Sequence, residues 1–80
     1  MISKNICIDK IEVLESGIVQ VRQVTRIVED DVELSRSYHR WALEPAQNIT
    51  EQDPRVQAIC NAVWTPEIVA AFEAARQARS

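Results

Sequence analysis

The chain has 80 residues, 46% of them apolar, and a formal net charge of -3 from nine Lys and Arg against twelve Asp and Glu. A chain of this length makes one domain that buries roughly two-thirds of the surface its unfolded form exposes, and its content of Ile, Val and Leu excludes an intrinsically disordered segment. The negative charge opposes attraction to phosphate or anionic lipid, and the start Met1-Ile2-Ser3-Lys4-Asn5 opens neither a signal peptide nor the ~18 apolar residues of a membrane span. The expectation is a protein without a membrane anchor, in the cytoplasm when made.

Hydrophobic period divides the chain. Residues 3–43 alternate every second position, and residues 54–79 repeat every third or fourth, which reads as a β-meander (1–43), a loop (44–53) and a helical pair (54–80). The fold class is therefore α+β: a three-stranded antiparallel meander followed by two short C-terminal helices packed on one face, βββαα.

In the first strand, Ile6 and Ile8 change parity relative to Ile11 and Val13, and a β-bulge at Asp9-Lys10 returns all four to one face. The strand ends at Glu15-Ser16-Gly17, where the only glycine of the chain can take positive φ, a three-residue loop that pairs Val13 with Val19 and Ile11 with Val21. The second strand, residues 18–28, points Val19, Val21, Thr25 and Ile27 inward and Gln20, Arg22 and Arg26 outward beside Val24. Its turn falls at Glu29-Asp30-Asp31, where aspartate tolerates left-handed backbone.

The third strand, residues 32–43, has Leu34 and Tyr38 on one parity and Trp41 and Leu43 on the other. A second bulge near His39-Arg40 would reconcile them. Arg36 then shares the inward parity, which requires it to lie beyond the covered part of the sheet with only its stem packed.

Asp53-Pro54 and Thr65-Pro66 are two copies of one helix start, an oxygen acceptor at the N-cap followed by proline at the first helical position. Val56, Ile59, Cys60 and Val63 form the apolar stripe of the first helix. In the second, Ile68, Phe72 and Ala75 repeat the pattern, and Arg76 and Arg79 suit its negative end. An eleven-residue helix covers roughly 16 Å and an eleven-residue strand spans roughly 37 Å, so the hairpin around residues 26–36 is expected to project past the core.

Chemistry-bearing groups are sparse. His39 is the only histidine and has no nucleophile and base beside it in sequence. A single glycine rules out a glycine-rich phosphate loop, and Cys7 and Cys60 lack any metal-ligand spacing and read as small buried hydrophobes. Trp41 and Trp64 read as core, Trp64 being the one beside its helix's stripe. No catalytic residue, metal ligand or cofactor is expected.

The strings Val19-Gln20-Val21-Arg22-Gln23, Arg26-Ile27-Val28-Glu29-Asp30-Asp31-Val32-Glu33-Leu34-Ser35, Tyr38-His39-Arg40 and Val63-Trp64-Thr65-Pro66-Glu67-Ile68-Val69-Ala70-Ala71-Phe72 resemble a family of small phage and prophage proteins without assigned activity. The resemblance runs nearly end to end, except that Asp31 stands where the family has glycine. It implies a viral genome context among virion genes, and no catalytic residue.

The expectation that follows is a non-enzymatic phage protein that binds protein, as a virion or assembly component or as a modulator of a host factor. Its binding residues are Arg26, Glu29, Asp30, Asp31, Glu33 and Arg36, with edge-strand pairing through residues 5–13 or 32–43 as a route to a partner or a second copy. The alternative is a sheet-based DNA-binding module using Gln20, Arg22 and Arg26. Against it, Glu29, Asp30, Asp31 and Glu33 are expected to pair with Arg22, Arg26, Arg36 and Arg40.

Overall fold

The computed structural model describes residues 1–79, the side chain of Arg79 excepted; Ser80 lies outside the described residues. Three strands, β1 (Ile2–Val13), β2 (Val19–Glu29) and β3 (Val32–Leu43), form one antiparallel sheet in the order β1-β2-β3, and two helices follow, α1 (Pro54–Val63) and α2 (Pro66–Arg79). This is the βββαα arrangement that the change of period predicts.

The bulge in β1 lies where parity requires it. Register shifts between Ile8, which pairs with Gln23, and Lys10, which pairs with Arg22. Ile8 and Ile11 consequently pack against one cluster with Val19, Val21, Leu43, Val56 and Cys60. Val13 pairs with Val19 and Ile11 with Val21, as the three-residue loop dictates. Gly17 closes that loop at φ 95°, donating its N–H to the Leu14 carbonyl.

β3 departs from expectation. Its pairing with β2 is continuous from Val19↔Leu43 to Ile27↔Ser35, so there is no bulge near His39-Arg40. The shift lies between Ile27 and Val28, opposite Ser35 and Glu33, and leaves Leu34 as the extra residue. The parity conflict disappears because Tyr38 is not a core residue: it lies with Arg36 on the face away from the helices, and Trp41 and Leu43 face the helices. Arg36 therefore never sits on the inward parity.

α1 is placed by its cap and its stripe. The Asp53 carboxylate accepts the Arg55 N–H at 2.8 Å, Val56 and Cys60 are fully buried against the sheet, and Arg55 donates to the Ile8 carbonyl at the bulge. Burying an aliphatic side chain such as Val56 contributes about 1.5–3 kcal/mol. Both tryptophans join this core with satisfied indoles, Trp41 Nε1 donating to Gln52 Oε1 at 3.0 Å and Trp64 Nε1 to the Gly17 carbonyl at 2.7 Å. Trp64 is thus a strut between α1 and the first turn.

α2 leans over that same turn with Ile68, Val69 and Phe72 only half-buried. Arg76 reaches Glu44 at 3.2 Å. A 14-residue helix is marginal alone, so its seat on the turn carries much of its stability. A β-carbon on Gly17 would lie 2.5 Å from Ile68 Cγ2.

All of this packing occupies one end of an elongated molecule, 53 × 23 × 18 Å. Past the helices the three strands continue as a bare ribbon on which Ile2, Ile6, Val32 and Leu34 are exposed. The predicted overhang of the second hairpin is present, and the first half of β1 runs out with it.

Two substitutions test the turns. Gly17→Ala should lower unfolding free energy by at least about 1–2 kcal/mol in urea titration, since positive φ and the Ile68 clash act together. Ala46 holds φ 71° in the turn closed by the Gln47 N–H on the Glu44 carbonyl, so Ala46→Gly should raise it by about 0.5–1 kcal/mol.

Candidate binding surface

The face of the sheet turned away from the helices carries an unusual charge pattern. Register places Lys10, Arg22 and Arg40 side by side across the three strands, and Arg26 directly opposite Arg36. Like charges directly opposed on a sheet are destabilising. Three features offset this.

First, the bulge that repairs β1 turns Asp9 onto this face, where it takes a two-pronged hydrogen bond from Arg22, Nε to Oδ1 at 3.0 Å and Nη2 to Oδ2 at 2.8 Å. Second, Glu33 receives Arg36 in the same way, Nε at 3.1 Å and Nη2 at 2.9 Å, and lies 3.4 Å from Arg26 Nε. Third, Tyr38 lies among the guanidinium groups: Arg22 lies 4.6 Å and Arg40 5.9 Å from its ring centre, and Arg36 Nη1 donates to its hydroxyl at 3.2 Å. Planar guanidinium groups held by paired oxygens and an aromatic ring are fixed in orientation.

Titration follows from these contacts. The hydrogen bond from Arg22 holds the Asp9 carboxyl below its ordinary value, and the hydrogen bond from Arg36 does the same to Glu33. Their partners move the opposite way, Arg22 raised by Asp9 and Arg36 by Glu33 and then Tyr38.

Beneath this layer Val24 is fully buried, although it faces away from the helical core. It sits between Cys7 and Tyr38 in the ladder, with Arg26 Nη1 reaching Cys7 Sγ at 3.4 Å and Arg22 stacked on Tyr38. The arginine stems roof a valine that no helix reaches. Cys7 is exposed, against the expectation of a buried thiol, because β1 is an edge and no element covers its outer side. Cys60 is buried, and burial pushes its thiol pKa up.

Of the expected binding residues, Arg26, Glu33 and Arg36 come together as one cluster. Glu29, Asp30 and Asp31 instead occupy the tip, where Asp30 and Asp31 take φ 50° and 67° in a two-residue turn and Asp30 receives the Met1 ammonium at 3.1 Å. The expected one-for-one pairing of tip acids with arginines is therefore corrected: Glu33 serves two arginines, Asp9 serves Arg22, and among the described residues Arg40 has no carboxylate partner. The bulge and the two-residue turn dictate this by where they aim each acid. Gln20, Arg22 and Arg26 do share the open face, but Arg22 and Arg26 are already ion-paired.

His39 is exposed, with the Trp41 ring 5.2 Å away. Among the described residues no group of three or more His, Cys, Asp and Glu could hold a metal ion, and no helix is long and apolar enough to cross a membrane.

Because both carboxyls are lowered on folding, the stability they add is full above their ordinary values of 3.8 and 4.5 and is lost as pH falls through the lower folded-state values. Unfolding free energy should hold steady from pH 7 to about 5 and fall below pH 4, and Asp9→Asn should flatten the acid limb. An acid limb identical in wild type and Asp9→Asn would contradict the Arg22 pairing.

The chain matches no protein-family model, no curated protein and no solved structure.

Proposed function

We propose that this chain is a non-enzymatic protein of phage or prophage origin that acts by binding another protein, as a small virion or assembly component or as a modulator of a host factor. The observation that supports this reading is the bare ribbon: among the described residues no helix covers the sheet beyond α1, and Ile2, Ile6, Val32 and Leu34 are between 53% and 62% exposed. Large apolar side chains left exposed at one end of a small protein mark a surface that another molecule covers. Tyr and Arg, the residues that dominate binding hot spots, lie on its reverse. Among the described residues the outer edges of β1 and β3 have no strand partner, and they offer backbone groups to an added strand.

A DNA-binding module is the second reading, favoured by one observation: Gln20, Arg22 and Arg26 share an uncovered sheet face with Arg36 and Arg40. It is the weaker one, because Asp9, Glu12 and Glu33 lie on the same face and the chain as a whole carries -3.

Tagged protein should capture a defined partner from infected cells, and an Ile6→Lys, Leu34→Lys double variant should lose that partner while keeping its melting temperature, because exposed substitutions cost little stability. Equal capture by the variant would contradict the ribbon as the binding surface. Self-pairing of the free edges is the competing use, and a single 9.1 kDa species in sedimentation at micromolar concentration would dispose of it.

A further inference from the structure

We infer that the cationic row Lys10-Arg22-Arg40 is a docking site for an acidic peptide segment, one that presents two carboxylates about three residues apart. The inference rests on the protein-binding reading and names the chemistry of the partner.

The three cations occupy adjacent positions across three strands. Two strand spacings put the outer pair roughly 10 Å apart. Asp9 neutralises Arg22 alone and fixes it: the Arg22 and Asp9 side chains are only 28% and 16% exposed. Lys10 and Arg40 flank it, exposed, and among the described residues neither has a carboxylate within ion-pair distance. A shallow groove of about 330 Å³ runs between them, lined on this face by Lys10, Glu12, Gln20, Arg22, Arg40 and Ala42. Like charges held side by side cost stability, and this row retains two of them without a counter-charge. An external carboxylate at each end relieves that repulsion and completes charge-assisted hydrogen bonds that the fold leaves unmade.

The form of the ligand follows from the acids around the row. Glu12 bounds it along β1, and Glu33 lies farther along the same face. A duplex carries a charge about every 1.7 Å of its axis and would run phosphates across those carboxylates. In a peptide in the polyproline II conformation, with three residues per turn and about 3.1 Å per residue, two carboxylates three residues apart lie on one side and roughly 9 Å from each other, close to the distance from β1 to β3, with neutral residues between. Gln20 supplies a neutral amide beside the groove for the peptide backbone.

The test is calorimetric titration of the full chain with a ten-residue peptide bearing two glutamates three residues apart, its Gln-for-Glu counterpart, and a short duplex DNA. The inference expects saturable binding of the acidic peptide that weakens with salt, no binding of the Gln peptide, and about tenfold weaker binding for each of Lys10→Ala and Arg40→Ala. Neither variant should melt appreciably below wild type, since neither side chain makes an ion pair in the fold and each substitution removes one of two like charges. Equal affinity for the Gln peptide, tighter binding of the duplex, or variants that bind as wild type would each overturn it. If the captured protein partner is retained by a Lys10→Ala, Arg40→Ala double variant, protein binding stands and the acidic-segment site falls.

Discussion

One extra residue in β1, Asp9, sets the character of both faces of the sheet. Without it, Ile6 and Ile8 would point away from Ile11 and Val13, and the first strand could not contribute a continuous apolar row to the core. With it, Ile8 and Ile11 pack together under α1, and the freed carbonyl of Ile8 accepts Arg55 at the start of that helix. The displaced side chain has a second use on the far side, where its carboxylate steadies Arg22 within a row of cations. The bulge thus couples core register to surface charge.

The second constraint is length. α1 has ten residues, about 15 Å, whereas each strand has eleven or twelve, roughly 37–40 Å. A helix so short supports only the end of the sheet that holds Val19, Val21 and Leu43. α2 adds little cover, because Thr65-Pro66 starts it at the level of the first turn and it leans outward there on Ile68. The remaining ribbon is held by its ladder, by the ion-paired layer of Arg26, Glu33 and Arg36, and by Met1 on Asp30. Such a layer gives less cohesion than an apolar core and leaves the surface available to a partner.

Much of the architecture was legible in the sequence because it depends on local rules. Parity alone places the first bulge; Gly17 and the paired Asp-Pro and Thr-Pro signals place the first turn and both helix starts. Placing Tyr38 on the same inward face as Trp41 and Leu43 requires a bulge at His39-Arg40 and puts Arg36 on the wrong face, yet the Tyr38 ring serves as a platform for guanidinium groups. Val24 has outward parity and is nevertheless fully buried, since arginine stems can roof a small side chain where no helix does. The cationic row was not legible at all: Lys10, Arg22 and Arg40 are far apart in sequence and meet only through register, and Asp9 reaches them only because the bulge redirects it.

The sheet has a supported end and a free ribbon, and β2 reports on both because it is paired along its whole length on either side. Native-state amide hydrogen exchange along β2 measures the difference directly. Residues 19–24 should exchange slowly and residues 25–29 markedly faster in the isolated chain. Uniformly slow exchange out to the Asp30 turn would contradict it.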